Sequence, residues 1–139
     1  VANAGLTHQL RLLYAQMGDP WLLVGEFRSS VVLVPRTSAG LVWTGDEGGL
    51  RWIFAFSCEA ELTAFARARE SEGDRLDYLT VYGSRLLDVA VPALGVPGGV
   101  AVDVAGKQPM LFPPVRGIVP DAVALDAGAG AGVLGGGRG

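Results

Sequence analysis

LVWTGDEGGLRWIFAF, residues 41–56, sets two apolar runs on either side of a loop of glycines and acidic residues. Residues 41–44 and 50–56 flank Gly45-Asp46-Glu47-Gly48-Gly49. Such a loop between β-prone runs predicts an antiparallel hairpin. In the second run Trp52, Phe54 and Phe56 alternate with Ile53 and Ala55, so both faces of that strand are apolar. A strand of this kind needs cover on both faces, which places it in the middle of a sheet.

Upstream, residues 30–34 (SVVLV) are short, β-branched and followed by Pro35, the pattern of a buried strand stopped by proline. Asp19-Pro20 starts a helix over residues 20–28, with Asp as cap, Pro in the first turn, and Leu23 and Phe27 turned inward. Before it, Leu6, Leu10, Leu13 and Met17 form the stripe of an amphipathic helix that ends at Gly18. Downstream, Ser57 or Cys58 opens a helix reaching about Arg69. Leu62, Phe65 and Ala66 are its buried stripe, with Arg67, Arg69 and Glu70 outside.

Residues 78–82 (YLTVY) read as a strand, Gly83-Ser84 as a turn and cap, and residues 85–91 as a helix terminated by Pro92. Gly98-Gly99 leads into a strand over 100–104. Residues 110–112 form a short strand stopped by Pro113-Pro114, hence near a sheet edge. A last helical turn falls in 120–125. The order predicts an α+β fold: a mixed sheet of about six strands, including the hairpin, with helices packed on it. A three-layer α/β arrangement is the alternative.

With 139 residues, half of them apolar, the chain suffices for one domain with a real core, here residues 1–126. After Ala127 the sequence is almost all Gly and Ala, so residues 127–139 are expected to be a flexible tail. A net charge of −3 argues against a nucleic-acid binder held by bulk positive charge. The longest unbroken apolar run, 52–56, is far short of the roughly 20 residues of a membrane-spanning helix. No basic cluster followed by an apolar stretch is visible, so a cytoplasmic location without membrane contact is expected. The excess of arginine over the single Lys107, with abundant Ala, Gly and Val, suggests a GC-rich genome.

Chemistry has few candidates. Cys58 is the one cysteine, which excludes an intrachain disulfide, and His8 is the one histidine. Cys58 at a helix N-terminus could hold a thiolate, but a nucleophile wants a base, so it reads as a small capping residue. His8 reads as a surface residue of the first helix. The 45–49 loop lacks the alternating oxygen ligands of a calcium loop, and the glycines of residues 95–106 lack a dinucleotide fingerprint. The mixed charges of residues 67–77 read as a solvated face. Trp21, Trp43 and Trp52 suit an interface more than a reaction. The interaction surface is therefore placed on Trp43 and Trp52 of the hairpin and on Met110 and Phe112 of the edge strand.

The succession PWLLVGEFRSSVVLVP, IFAFSCEAELTAFA, TVYGSRLLDVAV, GVAVDVAGKQPMLFPP and IVPDAVALD, spread over about residues 6–126, resembles the SseB N-terminal-like domain family. That bacterial family is named for enhanced serine sensitivity. The sequence departs from its pattern where Ser57-Cys58 replaces a capping hydroxyl pair, and where Asp103-Val104-Ala105-Gly106 replaces an Asn-Pro-like turn. The resemblance implies a domain with neither known cofactor nor known catalytic residues. The function expected from it is a non-enzymatic protein-interaction or self-association module, with a protein partner or a second copy bound at a sheet edge and an apolar patch. A small-molecule-binding or enzymatic domain using Cys58 is the alternative.

Overall fold

The computed structural model describes residues 20–37, 39–69 and 77–126. The expected helix over 6–17, His8 and the tail 127–139 lie outside the described residues.

Pro20 opens helix α1 (Pro20–Arg28), in the turn where its missing N–H is no loss, and Leu23, Val24 and Phe27 form its buried stripe. Strand β1 (Val31–Arg36) pairs antiparallel with β4 (Asp77–Tyr82), setting Leu33 opposite Thr80. Pro35 does not stop β1. Proline lacks only the donor, and its carbonyl accepts the Trp43 N–H at 3.0 Å, so the strand continues to Arg36.

The hairpin forms, but its first strand is shifted from residues 41–44 to β2 (Thr44–Glu47), facing β3 (Leu50–Ala55). Gly48 and Gly49 have φ of 64° and 81°, so these two residues alone make the turn. Asp46 and Glu47 then join the strand, and Asp46 pairs with Arg51 directly across the ladder at 2.9 Å. Residues 41–43 form a corner instead, where Trp43 also accepts the Phe54 N–H at 3.2 Å.

As the two apolar faces require, β3 is internal. It lies between β2 and the parallel strand β5 (Gly98–Val102), and β6 (Met110–Phe112) completes the order β2-β3-β5-β6 as an edge strand. Leu33 of β1 and Phe56 exchange both backbone bonds, at 2.9 and 2.8 Å, which joins the two sheets.

Helix α2 (Glu59–Ala68) follows β3, and helix α3 follows β4 without a break. Helix α3 is α-helical over Gly83–Arg85, π-helical over Leu86–Ala90 and α-helical again over Val91–Ala93. The Val91 N–H reaches back to the Leu86 carbonyl, and this wider turn carries the helix through Pro92, which was expected to end it. Gly83 makes no turn either. A Cβ there would collide with the Phe27 carbonyl oxygen, so glycine is what lets α3 start against α1. The Arg28–Asp88 ion pair at 2.5 Å ties the same two helices at the surface.

The sheet residues sort by parity into two cores. Val32, Val34, Ile53, Ala55, Val100, Val102 and Phe112 meet α1 and α3, with Phe27 and Phe112 stacked at 4.5 Å. Each buried phenylalanine there is worth about 1.5–3 kcal/mol of transfer free energy. Leu33 and Phe56 point the other way and meet Leu62 and Phe65 of α2. The fold is thus α+β, with helices on both sides, and the six strands form a two-stranded antiparallel sheet and a four-stranded mixed sheet where one mixed sheet was expected. Among the described residues no helix is long and apolar enough to cross a membrane.

Candidate functional site

The α2 side of the four-stranded sheet is built from large rings laid over small residues. Trp52 stands opposite Gly45 and beside Gly99, and Phe54 beside Ala101, which in turn faces Leu111. The Phe54 ring lies over Gly45, where a Cβ would come within 2.8 Å of Cζ, and Trp52 lies over Gly99, at 2.9 Å from Cζ3. Trp52 Nε1 donates to the Glu47 carbonyl at 3.3 Å, which fixes the indole across the strands. Lying flat, these rings leave an open groove of about 600 Å³ between the sheet and α2.

Trp52 and Phe54 form the floor of the groove, Phe65 of α2 and Arg69 at its C-terminal cap one wall, and Leu111 the far lip. Trp52 is 9% exposed and Leu111 53%. The Arg69 guanidinium carbon sits 5.0 Å from the Phe65 ring centre, 5.5 Å from Trp43 and 5.7 Å from Phe54. That spacing is the range of cation–π attraction. Asp46 and Glu47 lie on the β2 rim. Hydrogen bonds from Arg51 hold the Asp46 carboxyl below its ordinary range, so it is ionised and paired, and Glu47 adds a further carboxylate to that rim.

A polar seam anchors the α2 wall. Ser57 and Asp103 follow the adjacent parallel strands β3 and β5, so their backbones end side by side. Asp103 is 5% exposed and takes a φ of 54°, unusual for a residue with a side chain. Its Oδ1 accepts the Ser57 N–H at 2.8 Å and its Oδ2 the Ser57 hydroxyl at 2.7 Å. Burial raises the Asp103 pKa, and the two bonds from Ser57 oppose the rise. Glu61, in the first turn of α2, is also raised, first by burial and then by the charge on Asp103. Its Oε1 is buried without a hydrogen-bond partner among the described residues.

Cys58 caps α2 in extended conformation, half-buried, and its thiol makes no capping bond. Ser57 gives its proton to a carboxylate that is itself buried, which describes a clamp between strand ends. Among the described residues no group of three His, Cys, Asp or Glu is placed to hold a metal ion.

The four residues expected to form the interaction surface divide between the two sides. Trp52 is the groove floor and Trp43 backs Arg69. Met110 packs against the core on the α1 side, and Phe112 is 2% exposed, stacked on Phe27. The β6 residue that reaches the groove is Leu111, between them. Alternation along 110–112 separates Leu111 from its neighbours, but it does not say which parity faces inward. Phe54, Phe65 and Arg69 were legible as strand, core stripe and solvated face, and not as one site.

No protein-family model matches the chain, and no curated protein and no solved structure matches it either.

Proposed function

We propose that the chain is a non-enzymatic protein-interaction module, a cytoplasmic bacterial domain of the SseB-like type, and that its docking surface is the groove between α2 and the sheet. The groove carries this reading: an aromatic floor, an exposed leucine lip and a rim with charges of both signs. Apolar depth with a few polar groups at the edge is how binding sites are built. The resemblance of about residues 6–126 to the SseB N-terminal-like family, which implies neither a known cofactor nor known catalytic residues, agrees with this reading.

The occupant is a segment of another protein. A volume of about 600 Å³ takes a few side chains. Strand addition contributes less, because β6 offers only Met110–Phe112 between Pro109 and Pro113. Burial of the partner's side chains in the groove supplies the affinity.

A photo-crosslinking amino acid at position 111, compared with one at exposed Val89 on α3, tests this in cells of the source organism. The expected result is a discrete protein adduct from position 111 and none from 89. An adduct of twice the chain mass would assign the groove to a second copy. Equal labelling at both positions, or none at 111, overturns the proposal.

A further inference from the structure

We propose that Arg69 sets the specificity of the groove by selecting a partner segment that places an Asp or Glu side chain beside its apolar residues. This rests on the docking reading above. The argument begins with how the guanidinium is held. Phe65, Trp43 and Phe54 surround its carbon at 5.0, 5.5 and 5.7 Å. Attraction to the rings is satisfied around the group, while its N–H donors make no hydrogen bond or ion pair with any described residue.

Arg36, Arg67 and Arg85 also make no ion pair among the described residues, but they do not line the groove, and the remaining described arginines are engaged. Arg28 is paired with Asp88, Arg51 with Asp46 and Arg116 with Asp121. Arg69 lines the groove, its donors without a hydrogen bond or ion pair among the described residues. A guanidinium already fixed by its surroundings loses little further freedom when a carboxylate arrives, and its fork matches a carboxylate's two oxygens. The aromatic rings also exclude water from one side of the new bond, which strengthens it.

The opposite rim gives the ligand a direction. Asp46 is occupied by Arg51, and Glu47 adds a second carboxylate there with no ion pair among the described residues. An acidic side chain is therefore drawn to the α2 wall and repelled from β2, while the apolar residues of the segment lie over Trp52 and Phe54. Attraction at one end with repulsion at the other is what makes a site selective rather than merely sticky.

The test is selection of peptides from a random display library on the immobilised full chain, followed by affinity measurement with a synthetic peptide from the enriched set. The expected peptides carry Asp or Glu at a fixed spacing from two apolar residues. Arg69→Glu weakens such a peptide by at least about tenfold, Arg69→Lys by less, and a peptide with Lys in place of its acid recovers binding to Arg69→Glu. Arg69 is exposed, and thermal melts of both variants verify that they fold. Enrichment of apolar peptides without an acid, bound equally by wild type and Arg69→Glu and lost with Leu111→Asp, overturns the role of Arg69 and leaves the groove standing. No enrichment that depends on Leu111 overturns the docking reading itself.

Discussion

The two faces of the central strand β3 contrast in how they are filled. Ile53 and Ala55 look into a core of β-branched side chains, sealed by α1 and α3 and fully buried. Trp52 and Phe54 look to the other side, where among the described residues one helix packs and the neighbours are Gly45, Gly99 and Ala101. Interdigitating branched residues use up the depth of the first face. On the second, wide rings lie over residues with little or no side chain, so the surface is apolar but the depth is not consumed. One sheet thus carries its larger, fully filled core on one side and a smaller core beside an open groove on the other, and parity along each strand assigns a residue to one of them.

Adjacent residues of β6 give the sharpest way to break this contrast. Phe112→Ala opens a cavity beside Phe27 and is expected to cost about 3–5 kcal/mol in denaturant unfolding. Leu111→Ala, one position away with a half-exposed side chain, is expected to stay within about 0.5 kcal/mol while weakening any groove ligand. Similar costs at both positions would mean that the groove face is as tightly packed as the core.

The next effect concerns the seam that holds α2 in place. Asp103→Ala removes both hydrogen bonds between this carboxylate and Ser57, at about 1–3 kcal/mol, and puts alanine at a left-handed backbone position. Asp103→Asn keeps an acceptor, tolerates that backbone and costs less. The same seam governs pH dependence. Asp103 and Glu61 both have raised pKa values when folded, so the native state binds more protons than the unfolded chain between the ordinary carboxylate range, about 4, and the folded values. Their contribution is complete below that range and is lost as pH rises through the folded pKa values. Glu61→Gln removes one of the two charges and is expected to raise the denaturant midpoint at pH 7 while giving no gain at pH 4. Glu61 is only half-buried, so the sign of the difference is the observable. A variant less stable than wild type at pH 7 would show that the buried Oε1 has a partner worth keeping.

How much of this was legible in the sequence follows from which interactions are local. Alternation in 50–56 is a property of one strand, and it correctly gave an internal β3. The Cys58 cap and the edge position of 110–112 were equally local, the first marked by a helix start and the second by prolines. The register of β2 was not, because two adjacent glycines outcompete a longer loop and the Asp46–Arg51 pairing appears only once the strands meet. Pro92 misled because a π-turn accommodates it. The groove joins β2, β3, α2 and Leu111, residues far apart in sequence, and an arginine on a helix's charged side reveals nothing about the rings it will meet. Asp103 stood out as a departure from a family pattern, without any sign that its carboxylate would reach Ser57.

The smallest effect comes where the seam meets α2, and it separates a capping role for Cys58 from a chemical one. Its backbone is extended at the N-cap and the thiol makes no capping bond, so the position has the geometry a hydroxyl uses well. Cys58→Ser is expected to raise stability by up to about 1 kcal/mol and to leave groove ligands bound as before. Alkylation of the wild-type thiol at residue 58 is likewise expected to spare ligand binding, since the groove is lined by the later turns of α2 and not by its first. Loss of function in Cys58→Ser without loss of stability would move the centre of activity from the aromatic groove to the strand ends. The clamp of Ser57 and Asp103 would then have to be reread as the support of a reactive sulfur.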